Sequence, residues 1–146
     1  MCDEDSTGIG EIVPNDRMIY RACKRSIDLS KDKTTVEPIA FQKDGQNHRD
    51  GLSLALSVDA CARQFPNNRG VIRISVGAIH GLGRGLEVHF DTTDPDHVII
   101  RNLPCMDREL EKELALIVSS ELAAAAEIES RKRVLPPPAA PPAIGP

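Results

Sequence analysis

Aromatic residues are nearly missing from this chain: no Trp, one Tyr and three Phe among 146 residues. That scarcity excludes the stacking platforms on which single-strand nucleic-acid binders lay their bases. A basic excess is missing as well. With 18 Lys and Arg against 22 Asp and Glu, the formal net charge is −4. Nucleic acid is therefore not an expected partner. No apolar run reaches the roughly 18 residues of a membrane span. The acidic N-terminus has no hydrophobic signal segment. These absences point to a cytoplasmic protein with no membrane partner.

Paired cysteines are lacking too. Cys2, Cys23, Cys61 and Cys105 stand far apart with no CxxC spacing, a poor pattern for zinc and a poor disulfide framework. Buried free thiols in a reducing compartment are the simplest account. There is no GxSxG and no P-loop. In Gly81-Leu-Gly83-Arg-Gly85 the third Gly comes one residue too early for a dinucleotide fingerprint, and a strand rather than a helix follows. A tight bend is the reading there.

What is present is charge segregation and periodicity. Residues 1–16 hold five acids and no Lys or Arg, whereas residues 17–33 hold six bases and two acids. The head can fold back on that basic segment or remain a loose leader. Met18 to Cys23 reads as a strand, with Met18, Tyr20 and Ala22 on one face. Residues 34–41 read as extended and, because of Pro38, as an edge or irregular strand. "KDGQNHRDG", residues 43–51, reads as a flexible connector. Leu52, Leu54 and Leu56 alternate inward, and Ser57 is placed to cap a short helix over 58–65. Val71 to Val76 alternates again, with Ile72, Ile74 and Val76 facing the core.

"EVHFDTTDPDH", residues 87–97, packs two histidines and four acids into one stretch. A hairpin about the loop 92–96 pairs residues whose numbers sum to 188. Val88 then faces Ile100 and Phe90 faces Val98, while Glu87 faces Arg101 and Asp91 faces His97. One register supplies an apolar side and two polar pairs, as cross-strand packing favours. A solvated hairpin face accounts for the cluster. The alternative is a divalent-metal site on His89, Asp91 and His97, since two imidazoles and a carboxylate suit Fe(II), Mn or Zn. No other cofactor is expected.

A long helix is expected over 107–133, with Leu110, Leu114, Ile117, Val118, Leu122, Ala125 and Ile128 as its buried stripe. Leu116 falls off that stripe, and the run Ala123 to Ala126 suggests a second packing surface. At roughly 1.5 Å per residue such a helix outreaches a body of this size. Its end is expected to project towards another chain, through Leu116, Leu122 and Ile128. "PPPAAPPAIGP" reads as a disordered polyproline-like tail; its PxxP lacks the flanking base an SH3 domain wants.

Arg21, Lys24 and Arg25 are a candidate anion grip, against the plainer reading of a solvated basic surface. Arg21 with Ser53 and an acid would be the inventory of an ADP-ribosyl-transfer site, but no glutamate is placed to complete it. The order Ile19-Tyr-Arg21, Ala40-Phe41, Asp50-Gly-Leu-Ser53, then Asp96-His97-Val-Ile-Ile100 resembles a set of small uncharacterised bacterial proteins. It covers residues 17–104. The resemblance implies a cytoplasmic bacterial origin and carries no activity.

The expected organisation is an acidic leader (1–16), one α+β domain (17–134) and a Pro-rich tail (135–146). The sheet is expected to be mixed or mainly antiparallel with five or six strands, covered on one face by the short helix and the long C-terminal helix. The expected function is a small non-enzymatic interaction or regulatory protein, an accessory subunit of a larger bacterial assembly or a self-associating chain. The alternatives are a metal-dependent enzyme and an anion- or nucleotide-binding module.

Overall fold

Among the described residues seven strands form one sheet in the order β1-β5-β6-β3-β2-β4-β7, and its six strand pairings are antiparallel. The structure is a computed structural model that describes residues 4–43 and 51–138. Most of the expected connector, residues 44–50, and the tail beyond Pro138 lie outside the described residues, as do Cys2 and Asp50. The strands are β1 (Ile9–Ile12), β2 (Met18–Ala22), β3 (Leu52–Ala55), β4 (Val71–Ser75), β5 (Glu87–Asp91), β6 (His97–Arg101) and β7 (Glu127–Ser130). Three helices accompany them: α1 (Val58–Gln64), α2 (Val76–His80) and α3 (Lys112–Ala125).

Local chemistry explains the elements that the sequence makes legible. The β5–β6 register is the expected one, with Val88 opposite Ile100 and Phe90 opposite Val98. Ser57 caps α1 by accepting the Ala60 N–H at 3.1 Å, one of the four donors a helix start leaves unpaired. Gly51 is required where β3 begins. Its φ is +122°, and a Cβ there would stand 2.3 Å from the Ile100 carbonyl oxygen.

Strand alternation sends side chains to both sides, and both sides are covered. Ile19, Leu52, Leu54, Ile72, Ile74, Val88, Val98 and Ile100 form the main core with residues of α2 and α3. Ala22, Ala55 and Val71 point the other way and pack on Ala60 and Cys61 of α1. The expectation of two helices on one face is corrected: α1 and α3 lie on opposite faces. The small side chains under α1 suit close approach of a short helix.

Three further expectations change. First, the acidic head is not wholly a loose leader. β1 pairs with β5, and Glu4 meets Lys43 and Arg101 rather than the basic segment 17–33. Second, residues 34–41 are not a strand: Val36 makes one bridge to Leu29, and Pro38–Phe41 form a 3₁₀ turn. Pro38 lacks an N–H for a ladder but suits the first position of a turn.

Third, the helix expected over 107–133 runs only from Lys112 to Ala125, with residues 107–111 in turns, and Glu127–Ser130 become strand β7 beside β4. Ile72 pairs with Ile128, and Arg73 bridges Glu127 at 2.9 Å and Glu129 at 2.8 Å. The alternation Glu-Ile-Glu-Ser satisfies a strand as well as it satisfies a helix end, and the open edge of β4 decides for the strand. The chain therefore folds back and does not project.

Candidate functional site

The residues nominated for metal binding share a hairpin but not a site. His89 Nδ1 lies 2.8 Å from the Gly10 carbonyl oxygen and Nε2 3.0 Å from Glu87 Oε1. Asp91 Oδ1 accepts from the backbone N–H and hydroxyl of Thr93, at 2.8 and 2.6 Å, and His97 Nδ1 is 2.8 Å from Asp94. Each polar group is thus engaged locally. His89 stands opposite Ile99, so His97 is its diagonal neighbour on the ladder, and their contacting ring nitrogens turn to separate partners, Gly10 and Glu87 for His89 and Asp94 for His97. Among the described residues no group of three His, Cys, Asp or Glu could hold a metal.

The anion grip separates in a similar way. Arg21 is buried beneath the 3₁₀ turn at Pro38–Phe41. Its Nε donates to the Ala40 carbonyl and one terminal nitrogen to the Ser53 carbonyl, both at 2.7 Å. Burial lowers its pKa to about 10, against the pull of Asp28, so it stays charged at neutral pH. Arg21 is therefore a tie between β2, β3 and the turn, and it reaches Ser53 through backbone rather than hydroxyl. Lys24 lies over the Phe65 ring at 4.7 Å, and burial lowers its pKa first among the causes. Arg25 donates to the Ile39 carbonyl at 3.2 Å and faces Asp28 at 3.4 Å. The three cations diverge instead of converging on one ligand. Arg84, in the Gly-rich bend, is likewise engaged, by a two-pronged contact with Glu121 at 2.8 and 3.0 Å.

Thiol chemistry is muted. Cys23 and Cys61 are free and buried, and burial pushes them up to about 12 and about 11. They are inert as nucleophiles. Cys105 is buried and disulfide-bonded, which departs from the free-thiol expectation.

Helix α3 is where unsatisfied surface gathers. Its buried side is Ala115, Val118, Ser119, Leu122 and Ala123, so it sits rotated by roughly one residue, about 100°, from the expected stripe. Ala115, Ser119 and Ala123, spaced four apart, are small side chains that let α3 approach the 3₁₀ turn closely. The rotation leaves Leu114 at 43 % and Ile117 at 45 % exposure, and Leu110, in the turn before α3 rather than on it, is fully exposed. Leu116 is 43 % exposed, off the buried side as expected, whereas Leu122 is fully buried. Ile128 packs on the core from β7. Of the three residues nominated for a partner, Leu116 is the one on the surface.

Leu116 and Ser120 form one wall of a groove of about 780 Å³. Ile27, Leu29, Pro38 and Ile39 form much of the other, and Lys31, Lys33 and Glu37 stand among its polar residues. The basic segment supplies net positive charge because its six bases outnumber its two acids, which turn their oxygens to nearby donors. Asp28 accepts the backbone N–H groups of Lys24 and Arg25 at 3.0 and 3.1 Å. Asp32 accepts from Ser30 and Thr34, at 2.7 Å each. Ile27 is 54 % exposed at this groove. The sequence nominated Leu116 but not Ile27, whose role depends on residues 38–42 folding back beside it.

No protein-family model, curated protein or solved structure matches the chain. No helix among the described residues is long and apolar enough to cross a membrane.

Proposed function

We propose that this chain is a small non-enzymatic interaction protein, an accessory or regulatory subunit of a larger bacterial assembly, which engages protein through the surface around α3. One observation carries the reading. Seven large apolar side chains are exposed among the described residues, and five of them, Ile27, Leu110, Leu114, Leu116 and Ile117, belong to α3, its lead-in or the groove beside it. Scattered exposed apolar residues are ordinary, but a contiguous patch with a polar rim is a mark of protein contact. The engaged states of His89, Asp91, His97, Arg21, Lys24 and Arg25 leave the enzymatic and anion-binding alternatives without a comparable assembly.

A reducing cytoplasm suits free Cys23 and Cys61, whereas the disulfide at Cys105 suits an oxidising compartment. A thiol count on protein taken from cells decides between them.

The functional reading is tested by placing a photo-cross-linking amino acid at Leu116 and, as control, at exposed Glu87. The expected result is one discrete cross-linked product from position 116, identified by mass spectrometry and absent from the control. Leu116→Glu should weaken the identified association at least about tenfold, as the loss of a central apolar contact does. Equal, diffuse labelling from both positions would remove the basis for the reading.

A further inference from the structure

We infer that the occupant of this surface is a second copy of the same chain, with two α3 helices packed antiparallel about a two-fold axis. The inference rests on the reading of α3 as an interaction surface and names what covers it. The surface has two complementary parts side by side. One is a ridge, Leu114 and Ile117 on the exposed side of α3 with Leu110 in the turn just before it; the other is the groove with Leu116 on one wall and Ile27 on the other. Because ridge and groove adjoin on one helix, a two-fold operation can seat each copy's ridge against the other's groove. Such a contact is isologous and closes on itself, leaving no open end for a filament.

Charge selects the antiparallel arrangement. Acids outnumber bases at the N-terminal end of the exposed side, where Asp107, Glu109 and Glu113 stand with Arg108 and Lys112. Cations lie at the other end. Lys33 and Arg131 exchange side-chain-to-backbone hydrogen bonds at 3.4 and 2.9 Å just beyond the end of α3, and Lys31 stands beside Lys33 at the groove. Parallel helices would bring acids to acids and lysines to lysines. Antiparallel helices bring Glu109 and Glu113 of each copy to the Lys31 and Lys33 end of the other, which favours register and orientation more than raw affinity. Ser120 and Ala124 fall near Ile117 on the helical wheel and are both exposed. Their small side chains leave room for a second helix to approach at the usual interaxial distance.

Sedimentation equilibrium of the full chain, from about 1 to about 100 μM, tests this; it spans the range in which a modest homodimer dissociates. The expected mass is twice 15.9 kDa. Ile117→Glu should weaken dimerisation at least about tenfold with an unchanged circular dichroism spectrum, since the side chain is already half exposed. Glu113→Lys and the double variant Lys31→Glu/Lys33→Glu should each weaken self-association, and mixing the two should restore a heterodimer. A monomer at every concentration would overturn the inference. If position 116 then still cross-links to a different protein, the interaction reading survives without the dimer. A dimer untouched by Ile117→Glu, or one without the charge-swap rescue, would overturn the proposed interface.

Discussion

Glu4 is expected to contribute to stability out of proportion to its place four residues from the start of the chain. Its carboxylate, with a side chain 5 % exposed, accepts from the Lys43 ammonium, from the Asn102 backbone N–H at 2.9 Å and from Arg101 Nε at 3.3 Å. The Lys43 side chain is completely buried. Glu4→Ala leaves that ammonium with no counter-charge and the Asn102 N–H with no acceptor. Stranding one partner of a buried pair costs about 3–5 kcal/mol, a large part of the roughly 5–15 kcal/mol by which a domain is stable. We expect a loss of about 4 kcal/mol and a fall in Tm on the order of 10–15 °C. Replacing Glu4 and Lys43 together is a different perturbation, because neither of that pair is then stranded. The amide oxygen of Glu4→Gln can still accept from Asn102 and Arg101, and Arg101 keeps the Asp5 carbonyl and the Ser6 hydroxyl as acceptors. Glu4→Gln/Lys43→Met should lie within about 1 kcal/mol of the parent, with the flexible Met filling the lysine's channel. Urea unfolding, read as a shift in midpoint at constant slope, measures both. A Glu4→Ala loss below about 1 kcal/mol, or a double variant no better than Glu4→Ala, would refute the reasoning.

The raised thiols give a second expectation. At pH 8 iodoacetamide should modify neither Cys23 nor Cys61 in the folded protein and both in urea, read by intact mass; labelling of the folded protein at a free-thiol rate would contradict their placement. The same shifts act on stability. Below the usual thiol pKa of 9 both states are protonated, and as pH rises from there towards 11 and 12 the unfolded chain ionises first, so stability falls across that window. The rotation of α3 is checked at Leu114, which belongs to the stripe expected from the sequence but lies half exposed on α3. Leu114→Ala should cost well under the roughly 3 kcal/mol of Leu122→Ala, a buried reference on the same helix; equal losses would restore the expected stripe.

Much of the hairpin was legible because its determinants are local. Residues 87–101 contain their own turn, their own alternation and one register in which apolar faces apolar. The same holds for Ser57 and α1, where the cap lies three residues from the N–H it accepts. The nominated sites fared differently. His89, Asp91 and His97 do lie on one hairpin, but the chemistry of a site needs side-chain atoms within a few ångströms. Backbone carbonyls, Glu87, Thr93 and Asp94 reached them first. Leu116 was recognisable as a surface residue from the wheel alone, yet the groove it lines depends on Ile27 and Ile39, about ninety and eighty positions earlier in the chain.

By itself, the sequence determined the aliphatic character of the core, the strands β2 to β6 as stretches of alternation, the start of α1 and the expectation that α3 presents apolar surface. These depend on interactions spanning a few residues, and short-range periodicity records them. Long-range packing alone sends Glu127–Ser130 from the helix to the edge of β4, sets α1 and α3 on opposite faces, and turns the small residues of α3 inward. In each case two local conformations were nearly equal in merit. The choice fell to a distant partner: the unpaired hydrogen-bonding edge of β4, the alanines of β2 and β3, and the 3₁₀ turn at Pro38–Phe41, which small side chains let α3 approach.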